Sequence, residues 1–549
     1  MTSVMSHLII APVVLPLIAA ALLLLFTRQS WRLKSFINMS ATLAGLLVAI
    51  AILLRVDGGG GSAAIGVYLA SNWEAPFGIV LVADRLSALM LVLVGVVSFC
   101  AALYAEGGWS RAGVYFHPLF QIQLMGLNGA FLTGDLFNLF VFFEVMLAAS
   151  YGLQLHGSGR PRVRSGLHYI VVNLLASSLF LVGLAVLYGV LGTLSMADIA
   201  EKVVSVPARD RGLLHAGAAI LAAAFLIKAA IWPLNFWLVP TYNSASAPVA
   251  ALFALMTKVG IYALIRLWTL LAVGPSAYFG APVLLYGGLA TLGFGVLGVL
   301  ASVRLGRIAG FSIIVSSGTL LAALGVGAAS VTTAALFYML SATLAVSGLF
   351  LLVELFERVR SGVKSPMPEL DIEPSADTNL DNEEAPLVGR AFPVSLALLG
   401  IAFLCSALLI AGLPPGSGFL AKVSLLRALL SSGGDPLTNS IVAPPAARWV
   451  FFGLLLVSGL AATISLSGAG IRCFWSASGR SAPNLKLVEV LAVLFLLLAS
   501  VTLTVWAEPV LRYASATAAD LHAPAEYIKK VLSKRPVQGR GDLEQEGLP

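Results

Sequence analysis

Residues 228–266, KAAIWPLNFWLVPTYNSASAPVAALFALMTKVGIYALIR, decide how this chain is read. The stretch closes one apolar run (212–232), crosses a Pro-containing polar break and opens a second apolar run (248–272). Each run holds one lysine near its depth, Lys228 and Lys258. A run of about 20 apolar residues spans the ~30 Å hydrocarbon core of a bilayer as a helix. An ionisable group inside such a helix costs about 2.5–3.5 kcal/mol on insertion scales and by default marks an ion or proton route. Pro233 has no N–H, so the carbonyl of Ala229 loses its helical donor. Irregular backbone at membrane depth is tolerated only where it faces protein or a wet cavity.

The rest of the chain agrees. Of 549 residues, 59% are hydrophobic and 11% charged, and the mean hydropathy is +0.95. A typical soluble domain carries about 25% charged residues. That composition excludes a soluble enzyme, a disordered protein and a secreted disulfide scaffold. Apolar spans fall at 8–26, 33–54, 79–103, 114–133, 135–156, 166–191, 212–232, 248–272, 281–301, 307–328, 331–356, 391–412, 447–470 and 486–507. The expectation is an all-α polytopic membrane protein of about fourteen transmembrane helices. A further apolar piece near 417–430, beyond Pro414-Pro415, reads as the second half of span twelve. The alternating ten-residue segments of a β-barrel are not found.

Loop charges give a topology. Arg28/Arg32/Lys34, Arg160/Arg162/Arg164, Arg304/Arg307, Arg358/Arg360/Lys364 and Arg472/Arg480/Lys486 all follow odd-numbered spans. The positive-inside rule places those loops in the cytoplasm and both termini outside. No Lys or Arg precedes the first span, so it reads as a retained helix rather than a cleavable signal. The net charge of +7 is spread along the chain and does not point to nucleic acid. Cys100, Cys405 and Cys473 stand far apart, and no metal-ligand or cofactor motif is expected. Gly58–Gly61 reads as a flexible connector, and the acidic segment 369–384 as a disordered linker. The GFGVLG at 293–298 lies inside an apolar span, where small residues serve close helix packing rather than a dinucleotide.

Two further charges join the lysines of the opening stretch. Glu144 lies nine residues beyond Asp135. That places it about 13 Å into span five, at roughly 1.5 Å of helical rise per residue. Lys422 follows Pro414 and Pro415, which free the carbonyls of Ile410 and Ala411. A broken helix beside a lysine occurs in spans seven and twelve, five apart, which suggests two repeated five-helix units. The expected organisation is helices 1–3 over 1–113, a first repeat (helices 4–8) over 114–272 and a second (helices 9–13, with an acidic loop at 357–390) over 273–470. Helix 14 and a tail occupy 471–549. Lysine suits a proton relay because burial lowers its pKa towards neutral and a carboxylate restores it. The competing reading is that each charge only pairs with a neighbour to glue helices. His168 and His215, near span starts, read as interfacial.

These residues resemble the antiporter-like subunits shared by respiratory complex I, membrane-bound hydrogenases and the Mrp (Pha/Sha/Mnh) monovalent cation/proton antiporters, and look most like the D-type subunit of Mrp assemblies. The resemblance runs through Asp84-Arg85-Leu86-Ser87, GDLFNLFVFFEVM in span five, the 228–266 stretch and AGLPPGSGFLAK in span twelve. It implies that Glu144, Lys228, Lys258 and Lys422 carry protons between two half-channels. It also implies partner subunits in a hetero-oligomer, monovalent cations (Na⁺ foremost) as cargo, a bacterial cytoplasmic membrane location, and no enzymatic chemistry. One departure stands out. Many relatives place a His and then a Lys five residues later in span eleven, where this chain has Ser341 and Val346. Water or the hydroxyls of Ser341, Thr343 and Ser347 would then have to bridge the second half. A proton-pumping subunit of a redox complex and a purely structural membrane subunit are the alternatives.

Overall fold

The structure is a computed structural model that describes residues 7–26, 30–58, 65–271, 279–361, 394–431, 443–474 and 485–536. Most of the glycine run, the acidic segment 369–384, and Arg28, Lys364 and Arg480 lie outside the described residues. The described chain opens with α1 (Ala11–Leu25) and α2 (Trp31–Gly58), then a hairpin of β1 (Gly66–Leu69) and β2 (Val80–Ala83). Next come α3 (Arg85–Ala105), α4 (Phe116–Leu132), α5 (Leu136–Leu155), α6 (Arg160–Leu191) and the short α7 (Met196–Val203). The two broken spans of the opening stretch follow as α8 (Arg211–Lys228), α9 (Leu238–Ser244), α10 (Ala247–Phe253) and α11 (Met256–Leu271). The second half is α12 (Ala281–Leu300), α13 (Leu305–Val326), α14 (Ala329–Ser361), α15 (Val394–Ala411), α16 (Ser417–Ser431), α17 (Pro445–Phe474) and α18 (Leu487–Val505). The chain ends in α19 (Ala507–His522) and α20 (Ala525–Leu532).

Twelve stretches of helix among the described residues are long and apolar enough to cross a membrane. The first and fourth expected spans hold shorter helices, α1 of 15 residues and α4 of 17. Helix α4 stops because Thr133 and Gly134 leave it to pair with the hairpin, Gly134 N–H donating to the Val80 carbonyl at 2.9 Å. The expectation of fourteen spans is therefore corrected to twelve candidates. The hairpin is a second correction. Residues 80–83, which hydropathy assigns to the start of span three, pair antiparallel with 66–69. The third span starts only where Asp84 caps it. Its carboxylate accepts from Ser87 N–H at 2.9 Å and the Ser87 hydroxyl accepts from Asp84 N–H at 2.9 Å, a reciprocal cap.

Asp84 also receives the guanidinium of Arg266, from α11, at 2.6 and 2.8 Å. Both side chains are nearly buried. Burial alone raises the Asp84 carboxyl, but the Arg266 charge and the bonds from Arg266 and Ser87 outweigh it and hold the group below its ordinary 3.8. A depressed carboxyl stabilises the fold fully above its ordinary value and loses that contribution as the pH falls beneath it. Arg266→Leu leaves the Asp84 carboxylate buried and unpaired, a loss of about 3–5 kcal/mol. The expected result is a large drop in the thermal unfolding midpoint of the purified protein; an unchanged midpoint would show the pair to be dispensable.

Both helix breaks beside Pro233 and Pro414-Pro415 are present. Helix α8 ends at Lys228, and the chain runs irregularly to Leu238. The span-twelve break separates α15 from α16 across residues 412–416. Gly412 sits there with φ +75°, and a Cβ on it would stand 2.5 Å from Lys422 Cδ. This position therefore requires glycine. A third break, not foreseen, lies between α10 and α11. There Leu255 N–H bonds to Leu252 and leaves the Ala251 carbonyl to accept from Ser347 Oγ at 3.1 Å. The glycine-rich 293–298 segment packs helices as expected: Gly295 lies against the Val315 backbone and Gly298 against the Phe311 ring, holding α12 on α13.

Candidate functional site

Each sequence-predicted charge is delivered by a separate helix. Lys258 is 2% exposed and Lys228 4% exposed, so both ammonium groups are held inside the bundle. Glu144 is only half-buried, which corrects the expectation of a buried acid. The cause is helical phase. Phe137, Val141 and Ala148 of α5 are exposed, and Glu144 falls on that same helical stripe at the edge of the chain. Its carboxylate accepts a hydrogen bond from the Ser177 hydroxyl of α6.

Glu144 and Lys228 form no ion pair among the described residues. Lys228 Nζ has no hydrogen-bond partner and lies 5.0 Å from the ring centre of Phe143, the residue before Glu144. An ammonium over an aromatic face is a weak substitute for a carboxylate. Lys228 thus ends a helix beside a break, with no hydrogen bond holding its head. Gly260 brings α11 onto this helix end: a Cβ there would meet Phe225 O at 2.9 Å and Ala229 N at 3.0 Å. The same Cβ would stand 3.3 Å from the Lys228 carbonyl carbon, so the helix that carries Lys258 crosses the end of the helix that carries Lys228.

From Lys258 the polar contacts run into the second half. Its ammonium donates to Ser316 Oγ of α13 at 2.9 Å. Tyr338 of α14 lies beside Ser316 and Thr319. Tyr338, Ser341, Val346, Lys422 and Ser458 then border one cavity of about 30 Å³. That volume holds a water, which needs roughly 10–15 Å³. Lys422 donates to the Ala411 carbonyl at 2.9 Å and faces Ser458 Oγ at 3.5 Å. The Ala411 carbonyl is one of the two that Pro414-Pro415 is expected to free.

The reading of span eleven changes in consequence. The sequence comparison of Ser341 and Val346 leaves that span without a titratable group, but Tyr338 is one, three residues before Ser341. Of the hydroxyls expected to bridge, Ser341 does face across the gap, paired with Ser417 Oγ at 2.9 Å. Thr343 bonds back to Met339 O of its own helix, and Ser347 caps the α10–α11 break. Ser177, Ser316, Tyr338 and Ser458 escape the sequence reading, because hydroxyls in apolar helices are common and only their partners single them out. His168 bonds to Arg164 O of its own helix, and His215 stacks on Phe279 at 4.3 Å beside an apolar cavity. Neither joins the lysine row.

A second polar cavity, of about 140 Å³, opens where α9, α10 and α14 meet. Arg162, Glu354 and Glu357 border it, and so do the buried hydroxyls of Tyr242 and Ser246, which have no protein partner. Buried hydroxyls without partners beside a roomy polar void are what ordered water satisfies. It lies on the face of the arginine-rich loops. Among the described residues no cluster of His, Cys, Asp and Glu could hold a metal.

Known proteins fit this geometry. Residues 133–442 match the family described as NADH:quinone oxidoreductase/Mrp antiporter, TM. The chain is 48% identical over 537 residues to a probable K(+)/H(+) antiporter subunit, of the D type, from Rhizobium meliloti, covering 97% of this chain and 99% of that one. It is 34% identical to an Na(+)/H(+) antiporter subunit, again of the D type, from Alkalihalophilus pseudofirmus, covering 96% and 100%. Among solved structures, a chain of the Mrp complex from Dietzia sp. superposes with TM-score 0.78 at 26% identity, covering 96% and 99%. A chain of respiratory complex I from Thermus thermophilus gives 0.72 at 21% identity over 96% and 100%, which shows the shared fold. This multi-pass membrane chain is a transporter subunit that belongs to the NADH:quinone oxidoreductase/Mrp antiporter family, as an Mrp antiporter subunit of the D type.

Proposed function

We propose that this chain conducts protons through Glu144, Lys228, Lys258 and Lys422, in exchange for a monovalent cation moved by a multisubunit Mrp-type assembly. One observation carries the reading: three buried lysines on three helices, each beside a break, are followed by hydroxyls and a water-sized cavity that lead from Lys258 to Lys422. A merely structural role would pair each charge with a carboxylate, and these lysines have none among the described residues. The 140 Å³ cavity supplies an aqueous mouth on the arginine-loop face, taken as cytoplasmic. The halves around α8 and α16 act as two five-helix units, and both termini lie outside. Glu144, on an outward stripe, is covered in the assembly by a neighbouring subunit.

The test is exchange in everted vesicles from cells lacking other antiporters, with this chain supplied alongside its partner subunits. A pH gradient should collapse on adding cation. K⁺ is the first cation to try, since the more similar relative carries it in its name, and Na⁺ the second. No collapse with either, in a fully assembled complex, would overturn the reading. A second result bears on the exit. Lys422→Ala should reduce exchange at least tenfold, whereas Lys422→Glu should keep part of it, because a titratable group remains beside the cavity. Equal loss in both, with assembly intact, would show that a fixed positive charge is what the site needs.

A further inference from the structure

A cavity of about 200 Å³ lies away from the lysine row, between the start of α2, the loop after α3 and the start of α4. Trp31, Lys34, Ser110, Arg111 and His117 border it. Lys34 and His117 are buried, and His117 Nδ1 is sealed from solvent with no hydrogen-bond partner. The Arg111 guanidinium is held over the Trp31 ring at 3.7 Å, which fixes its direction before any ligand arrives. Neither Lys34 nor Arg111 makes an ion pair among the described residues. Glu106, just beyond the end of α3, is an acid that interacts electrostatically with Arg111. Lys34 and Arg111 outnumber it, and His117 adds a ring nitrogen rather than a charge.

We propose that this pocket binds a phosphate group, that of an anionic phospholipid in the leaflet facing the arginine-rich loops. Two cations and a buried ring nitrogen without a partner form a site for a multiply accepting anion, and guanidinium and ammonium groups are the side chains that bind phosphate. Basic pockets between transmembrane helices on that face are where anionic head groups are held. The volume is below the roughly 300 Å³ at which sites for drug-sized molecules begin, which suits a head group. Location assigns the phosphate to a lipid. The pocket sits at helix ends on the arginine-loop face, and α2 carries exposed apolar residues (Leu33, Phe36, Leu43 and Leu47) on its side away from Lys34, as a lipid-facing helix does. Nothing in the proton route passes through these residues.

The assembled complex, purified in detergent with wild-type chain, Lys34→Ala, Lys34→Arg or Arg111→Gln, is extracted and its bound phospholipid counted by class. Wild type and Lys34→Arg should retain anionic phospholipid. Lys34→Ala and Arg111→Gln should each retain about tenfold less, the loss of one charge-assisted contact. Arg111 is at the surface, so that variant carries the test should Lys34→Ala fail to assemble. The delipidated wild-type complex is then offered phosphatidylglycerol vesicles, phosphatidylcholine vesicles or inorganic phosphate. Thermal stabilisation by phosphatidylglycerol alone, absent in Arg111→Gln, supports the proposal. Equal retention in all four proteins, or stabilisation by inorganic phosphate without lipid, overturns it.

Discussion

Glu144→Gln should abolish cation/proton exchange while leaving the assembled complex in the membrane. The substitution keeps the shape of the side chain and can still meet the Ser177 hydroxyl, so folding is spared. It removes the one acid of α5, partway along an apolar helix. Exchange in everted vesicles should fall by about two orders of magnitude, the lower end of what a positioned proton-transfer group contributes. Glu144→Asp should keep part of the activity, because the charge persists but retracts by one methylene. Ser177→Ala should weaken exchange less than Glu144→Gln. Normal exchange with Glu144→Gln would remove this carboxylate from the route.

Lys228→Met should have an effect of the same size. Its ammonium has no hydrogen bond and lies over the Phe143 ring at the end of a helix that stops beside a break. No hydrogen bond or ion pair among the described residues fixes it there. Proton transfer that depends on Lys228 approaching and leaving Glu144 makes the two residues one unit. Residues acting as one unit give non-additive losses. The Glu144→Gln/Lys228→Met double variant should therefore lose little more than either single variant, measured by exchange at matched complex abundance. Multiplying losses in the double variant would mean that the two groups act independently, and the coupling would be wrong.

Much of this is legible in residues 228–266 and their surroundings. Apolar runs of membrane length, the lysines inside them and the prolines beside them follow from hydropathy and from the missing proline N–H, which are local properties. The Ala411 carbonyl is an instance: its loss of a helical donor is readable from Pro415, and Lys422 takes that donor's place. The β-hairpin is not readable, because VLVA at 80–83 is as apolar as the helix it precedes, and only pairing with 66–69 makes it a strand. The break between α10 and α11 is hidden for the same reason. It contains no proline, and a hydroxyl from a helix almost a hundred residues away satisfies the carbonyl it frees.

The sequence by itself determined that the chain is a multi-pass helical membrane protein with four candidate pathway charges in its spans and two proline-broken helices, since burial cost and backbone chemistry act residue by residue. Only the tertiary structure decided which groups meet. It turned Glu144 towards Ser177 and the chain's edge, left Lys228 without a bond, joined Lys258 to Ser316 and set Tyr338 and Lys422 on one cavity. Partners on different helices depend on rotation and packing between helices, and small glycines such as Gly260 and Gly412 set those approaches. No periodicity within one helix encodes them.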